Sequence, residues 1–363
     1  MKALIVFNHP APYKVRLFNE LAKLVDIEVI FERSKAKDRP KEFYNCNEYN
    51  FKHQIYTKGY FSNEQSYTNK LKRYIKSNNK EFDLIVMNGY STITEMKAIK
   101  FMMKKKIPYV LFINGGIPAN KESAIKKAIK RKYISNAKWY LSPCEEADVY
   151  LKYYGADITN VFHYPYSTFL KSELLSKPLD ENEKLGIRNK WNIPNSKIFI
   201  SASQFIERKN NELLIKLFKG RDEKLILLGK GPLEEKYKSI IKEEQIDNVE
   251  IRPFLGKKDL FDVMKCSDAF ITLSKEDIYG HTTIEALANG LPVISSYNVV
   301  SSRHVIKNGL NGYLVNIDNE KEIINAINNT SYSMSKNAIE SVQSLTIEET
   351  AQAIYNAFTE MTK

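Results

Sequence analysis

The chain has 363 residues, 43% of them hydrophobic, and a formal net charge of +12. That length favours two domains over a single core, and no run of about 18 apolar residues is present to form a membrane-spanning helix. The three cysteines, Cys46, Cys144 and Cys266, are far apart, which excludes a clustered zinc site and a disulfide framework and fits a reducing cytoplasm. Residues 1–8 are too short an apolar run for a signal peptide and predict a first buried strand.

Strand-like and helix-like segments alternate through the first half of the chain. The predicted strands are residues 3–7, 27–31, 84–87, 109–113, 139–142 and 161–164. Helical patterns lie between them, such as 15–24 and 95–105, whereas 38–66 lacks a clear period and is predicted as loop or irregular strand. This alternation predicts a parallel sheet with helices on both faces.

A charged stretch with two prolines, residues 167–195, is interpreted as a junction, and a second alternation follows it. Its predicted strands are 198–201, 225–228, 249–252, 269–273, 293–295 and 312–315, and its predicted helices are 211–217, 233–244, 258–266, 284–288 and 320–327. The tail, 347–361, is predicted as one amphipathic helix. Two doubly wound domains predict a cleft between them, with ligands beyond the carboxyl ends of the strands.

The positive charge is confined to the first half. Residues 1–170 hold 29 Lys and Arg against 16 Asp and Glu, a net charge of +13, whereas residues 171–363 have a net charge of −1. A basic half can face anionic lipid, nucleic acid or an anionic substrate. A solvated lysine-rich surface is the alternative.

The segment from Ser274 to Pro292 carries the clearest functional signal. Glu276 and Asp277 follow a predicted buried strand, and a glycine and two threonines precede a helix that carries Glu285. Backbone N–H groups at a helix start can hold a diphosphate, and carboxylates can accept hydrogen bonds from sugar hydroxyls. Taken singly, these acids are equally explained as loop solubilisers or a helix-dipole complement. Together they favour a nucleotide-sugar site.

Two further loops follow predicted strands. Gly229-Lys-Gly-Pro232 allows a tight turn beside a ligand, but the third glycine of the dinucleotide pattern is replaced by Glu234, which disfavours a nicotinamide fold. Arg208 and Lys209 precede a helix, where two cations complement a diphosphate. A strand-to-helix turn and a solvated charge pair are the alternatives for each motif alone.

In their order, these motifs resemble the family 4 glycosyltransferases, which have the GT-B architecture. The resemblance covers residues 201–315, and it includes the basic loop, the glycine turn, the acidic loop to Glu285, and Asn308 to Val315. Asn8 to Val15 and Phe18 to Leu21 resemble members that build capsular and other surface polysaccharides. The family implies two Rossmann-like α/β domains facing a cleft, an acceptor domain at 1–170, a donor domain at 171–345, and a C-terminal helix at 346–363 that packs back toward the first domain.

The resemblance also implies roles for individual residues. Glu285 would hold the ribose hydroxyls, Asp277 or Glu276 would read the donor sugar, and backbone near Phe254 would contact the base. The implied catalytic set is Arg208, Lys209, Asp277 and His281. The implied donor-binding set is Gln204, Gly229, Gly231, Phe254, Glu276, Gly280, Thr282, Thr283 and Glu285. The implied acceptor side is His9, Pro10, Asn114, Gly115 and Gly116.

The chain departs from the family pattern at two positions. Gln204 stands where the family often has an arginine, for which Arg208 is the candidate replacement. The N-domain strand that often ends in a histidine here ends in Asn114-Gly-Gly116. His9 and His281 are therefore the candidates for a polar or proton-relay role, with a purely structural role as the alternative.

The resulting expectation is a cytoplasmic, retaining glycosyltransferase that moves a sugar from a UDP-sugar to a glycan or lipid-linked acceptor. No cofactor and no metal are expected, because Arg208, Lys209 and helix N–H groups would balance the leaving diphosphate. The alternatives are a GT-B sugar-nucleotide epimerase, a basic nucleic-acid-binding protein, which the absence of a recognised module disfavours, and a catalytically silent sugar-nucleotide binder.

Two basic segments raise the question of a membrane surface. Residues 123–134 place Ile125, Ala128, Ile129 and Tyr133 on one helical face beside four cations, and 97–106 form a second basic helix. Basic amphipathic helices can lie on anionic lipid, which predicts peripheral association with the inner face of the cell membrane. A helix that packs on its own sheet is the alternative.

Overall fold

The computed structural model describes residues 1–36, 41–44, 48–57, 67–119 and 121–363. Its chain forms two compact units. Unit 1 consists of Met1–Thr168 and Leu345–Lys363, and unit 2 of Phe169–Ser344. Cys46 lies outside the described residues.

In the described part of unit 1, seven parallel strands form one sheet in the order β3-β2-β1-β4-β5-β6-β7. The strands are β1 (Lys2–Phe7), β2 (Asp26–Arg33), β3 (Lys52–Thr57), β4 (Leu84–Met87), β5 (Val110–Phe112), β6 (Trp139–Ser142) and β7 (Val161–His163). The helices are α1 (Pro12–Leu21), α2 (Lys70–Asn78), α3 (Ile93–Lys105), α4 (Ala124–Ile134) and α5 (Glu145–Tyr153). Apolar strand residues such as Leu4 and Val6 pack against α3 in a buried core.

Unit 2 is built around a second parallel sheet, in the order β10-β9-β8-β11-β12-β13. The strands are β8 (Ile198–Gln204), β9 (Lys224–Lys230), β10 (Val249–Arg252), β11 (Ala269–Thr272), β12 (Val293–Ser296) and β13 (Gly312–Val315). The helices are α6 (Glu181–Trp191), α7 (Asn211–Phe218), α8 (Glu234–Glu243), α9 (Lys257–Cys266), α10 (His281–Ala288), α11 (Val300–Val305), α12 (Glu320–Asn329) and α13 (Ser335–Glu340). The predicted two-domain Rossmann-like α/β fold is confirmed by these sheets.

The last helix, α14 (Ile347–Met361), belongs to unit 1. Its buried face includes Ile347, Ile354 and Phe358, and the helix packs on α1 and β7. The Thr350 hydroxyl donates a hydrogen bond to the carbonyl of Pro165 at 2.5 Å. The C-terminal helix therefore completes unit 1, although the residues of unit 2 lie between it and the rest of unit 1 in the sequence.

Among the differences from the sequence-based expectation, those at β3 and α6 have a clear physical reason. β3 is an edge strand whose side chains are exposed or half-buried, so it lacks the apolar alternation that identifies a strand. The stretch interpreted as a junction contains α6, whose buried residues are the cations Lys184 and Arg188. Both bind the Asp268 carboxylate, at 2.5 and 2.8 Å. A search for apolar periodicity misses a helix that is held by buried ion pairs.

Helix α1 buries a lysine among aromatic rings. Lys14 is fully buried, with its Nζ 4.4 Å from the Tyr166 ring centre and 4.6 Å from that of Phe112. Phe7, Tyr13 and Tyr164 surround the same amine. Among the described residues, none accepts a hydrogen bond from Nζ. Burial lowers the pKa of Lys14 well below its usual value, because the ring faces only partly replace water around the charge.

We expect Lys14→Met to raise the melting temperature at neutral pH by a few degrees, since it replaces a desolvated amine with an apolar chain of similar length. In the unfolded chain, Lys14 keeps its proton up to the ordinary pKa of a lysine. In the folded chain, Lys14 loses that proton at a lower pH. Wild-type stability therefore rises with pH across that window. Melting curves of both proteins between pH 6 and 10 should converge at alkaline pH; a constant difference would contradict the assignment.

Candidate functional site

The carboxyl ends of β8 and β11 mark the switch point of unit 2, which is the point where the strand order reverses. β9 and β10 lie on one side of β8, and β11, β12 and β13 lie on the other. Loops that leave the sheet at such a point diverge and form a crevice for a ligand. The basic loop, residues 205–210, follows β8, and the acidic loop, residues 273–280, follows β11.

These two loops are joined by side-chain and backbone contacts. The ammonium of Lys209 forms an ion pair with Asp277 Oδ2. The guanidinium of Arg208 donates to the carbonyl of Glu276 at 3.2 Å, and the Lys275 N–H donates to the carbonyl of Arg208 at 2.8 Å. Lys209 and Asp277, which the sequence assigned to different parts of a donor, thus bind each other, and Arg208 binds the backbone of the acidic loop.

The Lys209–Asp277 pair is only partly accessible to solvent. The side chain of Lys209 is 11% exposed and that of Asp277 is 17% exposed, whereas Arg208 and Glu276 are exposed. An ion pair in such a partly dry crevice is weakly screened. The Asp277 carboxylate holds the Lys209 ammonium in place at the switch point. The crevice therefore contains a fixed cation, while the ion pair as a whole adds no net charge.

The acidic loop is fixed against the segment that follows β12. The Asp277 N–H donates to the Asn298 carbonyl at 3.0 Å, and the Ser301 hydroxyl donates to the Gly280 carbonyl at 3.0 Å. Gly280 adopts φ +89°, and a Cβ there would lie 2.2 Å from Cγ1 of Val299. Only glycine fits this conformation and this space.

Helix α10 starts directly after Gly280 and has no side-chain cap. Its first residues, His281 and Thr282, are half-buried, and the His281 ring lies 5.0 Å from that of Tyr279. Uncapped N–H groups at a helix start favour an anion. Glu285, one turn further on, is 9% exposed.

Thr283 occupies a different environment from its neighbours. Its hydroxyl is fully buried and lies 3.1 Å from that of Ser302, which lies 2.6 Å from that of Ser295. Its N–H donates to the Gly280 carbonyl at 3.1 Å. The Thr283 side chain therefore supports the helix start from within.

The glycine turn at the end of β9 lies against the end of β8 and the start of the basic loop. A Cβ on Gly229 would lie 2.0 Å from the Ser203 carbonyl, and one on Gly231 would lie 2.5 Å from the Phe205 carbonyl. Gln204 pairs in register with Lys230 at the same edge. Phe254, in the loop after β10, is 46% exposed. All of these positions lie at or just beyond the carboxyl ends of neighbouring strands in the unit 2 sheet.

The predicted acceptor-side residues lie at the carboxyl edge of the unit 1 sheet. His9 and Pro10 follow β1, and the Asn114-Gly-Gly116 segment follows β5. Tyr44, which the sequence did not single out, accepts a hydrogen bond from the Ala36 N–H at 2.8 Å and lies 3.1 Å from His9 Nδ1. A hydroxyl that accepts in this way can donate to Nδ1, which favours the neutral tautomer with the proton on Nε2.

Sequence reasoning also missed polar residues after β4. The Asn114 amide donates to Asn88 Oδ1 at 3.0 Å, and the hydroxyls of Tyr90 and Tyr150 lie 2.6 Å apart. Gly116 packs so closely on Tyr150 that a Cβ would lie 2.6 Å from its ring. The signal was present in the sequence, since Asn88-Gly-Tyr90 directly follows a predicted strand.

Two buried carboxylates lie at the same edge. The Thr92 hydroxyl donates to Glu32 Oε1 at 2.8 Å, and the Thr92 N–H donates to Glu95 Oε2 at 3.0 Å. Burial, reinforced by the charge of Glu32, raises the pKa of Glu95 to about 8.

Comparisons with known proteins give a family match for unit 2. Residues 183–338 match the family model described as Glycosyl transferases group 1. N-acetyl-alpha-D-glucosaminyl L-malate synthase of Bacillus anthracis is 31% identical over 126 residues, which are 33% of this chain and 32% of that relative. The chain thus spans about a third of the length of this curated relative.

The fold matches over nearly the whole chain. HepE of Anabaena in complex with UDP superposes with a TM-score of 0.77 at 15% identity, covering 99% of this chain and 100% of that one. WaaG, a glycosyltransferase involved in lipopolysaccharide biosynthesis, gives a TM-score of 0.69 at 12% identity, covering 98% and 99%. The resemblance predicted from the sequence is confirmed over residues 183–338, which match the model of the group 1 glycosyltransferases.

Proposed function

We propose that this protein transfers a sugar from a UDP-sugar to a glycan or lipid-linked acceptor, with retention and without a metal ion. The observation that carries the proposal is the Lys209–Asp277 pair at the switch point, beside the uncapped start of α10. The complex of HepE with UDP supports UDP as the nucleotide. The role of WaaG in lipopolysaccharide biosynthesis supports a product that is part of a surface glycan.

The chemistry follows from where charge develops. Breaking the bond between the sugar and the diphosphate leaves negative charge on the phosphate oxygens. Lys209, Arg208 and the first N–H groups of α10 stabilise that charge, and Asp277 keeps Lys209 in position before the donor binds. These groups provide the positive charge for which other transferases use a metal ion. Attack by the acceptor hydroxyl on the leaving-group face, with a phosphate oxygen taking its proton, retains the configuration.

The remaining donor contacts are assigned by position. Glu285 accepts hydrogen bonds from the ribose hydroxyls, and Glu276 or Asp277 accepts from hydroxyls of the sugar. Backbone near Phe254 contacts the base. In unit 1, His9 and Asn114 contact the acceptor. The expected location is the cytoplasm, at the inner face of the cell membrane.

The proposal is tested with a panel of nucleotide-sugars, by measuring binding and the slow release of UDP. Binding with hydrolysis that is lost in Glu285→Ala, and that persists in excess EDTA, would support a metal-independent transferase. Conversion of the donor into its epimer without UDP release would identify an epimerase instead. Tight duplex binding without affinity for any nucleotide-sugar would overturn the proposal.

We also propose that α4 contacts anionic lipid. Ile125 is 74% exposed and Ile129 is 42% exposed, whereas Tyr133, predicted on the same face, is buried. The first two turns of α4 are thus apolar on one side without packing on the sheet, and exposed lysines flank them. Nearby on α5, Val149 is 59% exposed. Within the described residues, no helix is both long and apolar enough to cross a bilayer.

We expect the double change Ile125→Glu and Ile129→Glu to reduce flotation with phosphatidylglycerol vesicles at least tenfold, because it places two acids in the apolar surface that meets the lipid. Lys130 is left intact, since it forms an ion pair with Glu122 at 2.6 Å. Leu24→Glu, at a 38% exposed position elsewhere in unit 1, is the matched control. Equal flotation of the double variant and wild type would exclude α4 as the contact.

A further inference from the structure

Arg33 ends β2 at the carboxyl edge of the unit 1 sheet and is only 3% exposed. Its N–H donates to the Asn8 carbonyl at 3.0 Å, so Arg33 lies beside the loop that carries His9. No described residue accepts a hydrogen bond from Nε or Nη1 of the guanidinium. A buried guanidinium with two unused donors is costly unless an anion binds it.

The side chain of Arg33 leaves the sheet on the face that α1 covers. Two residues earlier on β2, the Phe31 ring lies 6.3 Å from that of Phe18 in α1. Side chains alternate along a strand, so Arg33 shares the face of Phe31, while Glu32 projects from the opposite face. There Glu32 binds the Thr92 hydroxyl. The neighbouring carboxylate is therefore not the counterion of Arg33.

Helix α1 adds few backbone donors on this face. Pro12 has no N–H, and the Lys14 and Val15 N–H groups donate to the Ala11 carbonyl at 2.9 and 3.0 Å. The Arg33 guanidinium is therefore the group from which an anion would accept hydrogen bonds here.

We propose that Arg33 binds an anionic group of the acceptor, either a carboxylate or a phosphate. The guanidinium fork matches both groups in a bidentate geometry. This inference rests on the proposed function for the identity of the ligand as an acceptor. The anion site itself follows from unit 1 alone.

The test uses the full chain and calorimetric titration with inorganic phosphate, with malate as the carboxylate probe and with neutral glycerol. We expect one of the two anions to bind and glycerol not to bind. Arg33→Met should weaken binding of that anion about 10- to 100-fold, as expected for loss of a charge-assisted hydrogen bond. Arg73→Met, at an exposed position on α2, is the matched control and should bind within twofold of wild type.

Folding and function are separated by two further measurements. Arg33→Met should melt no lower than wild type, because it removes a buried guanidinium whose Nε and Nη1 no described residue binds. Arg33→Lys should also lose affinity, because it keeps the charge without the fork. Titration with UDP reports on unit 2. If wild type bound UDP normally but bound neither anion, the inference would be overturned and the proposed function would stand. Equal anion binding by wild type and Arg33→Met would have the same consequence. Anion binding that depends on Arg33, without UDP binding, would support the anion site and overturn the proposed function.

Discussion

Lys209→Ala is expected to lower the rate of UDP release about 100- to 1000-fold, the effect of removing one preorganised group that stabilises a leaving anion. Lys209 is only 11% exposed and is held by Asp277, so under the proposed mechanism its charge would already be in place when the bond to the diphosphate breaks. Its removal also leaves the Asp277 carboxylate without its cation, next to the incoming phosphates. Both effects act against the transition state. Steady-state rates of UDP release with a saturating donor measure the loss.

The two effects can be separated with a second variant. The double variant Lys209→Ala, Asp277→Ala no longer has the repulsion between the Asp277 carboxylate and the phosphates, but it still lacks the cation. Donor affinity should therefore recover in the double variant, while kcat stays low. Lys216→Ala is the matched control, because Lys216 also pairs with a carboxylate, Glu212 at 2.8 Å, but on the outer side of α7. A Lys209→Ala protein with wild-type kcat would show that Lys209 is structural.

The sequence predicted most of the fold because most strands here are apolar runs in two buried parallel sheets. β3 escaped because an edge strand needs no apolar alternation, and α6 escaped because its buried residues are charged. Each of these elements is held by contacts with residues distant in sequence. Such contacts leave no local period in the chain.

The candidate site was predictable in its parts but not in its pairing. Lys209 and Asp277 were each predicted in a loop that follows a strand, at the carboxyl ends where a ligand is expected. Their ion pair was not predicted, because spacing along a chain does not give the direction of a side chain. Tyr44 and Arg33 were missed for the same reason. They acquire their significance from burial and from neighbours on other strands.

Gly280→Ala is the second change for which we expect a large effect, a 10- to 100-fold loss of kcat/KM for the donor. The φ of +89° disfavours any residue with a Cβ, and the added atom would lie 2.2 Å from Val299 Cγ1. The start of α10 must then shift, and its N–H groups move relative to the phosphates. A displacement of about 1 Å in a preorganised site can cost about 100-fold in rate.

A second change, at Val299, separates the steric part of this loss from the conformational part. Adding Val299→Ala removes the contacted methyl group and should recover part of the activity, while the cost of the positive φ remains. Gly186→Ala is the matched control, since its Cβ would meet no atom within 4 Å in α6. Alanine there should stabilise the helix slightly and leave the donor kinetics unchanged. If Gly280→Ala kept wild-type kcat/KM, the start of α10 would tolerate displacement, and phosphate binding would have to depend mainly on Arg208 and Lys209.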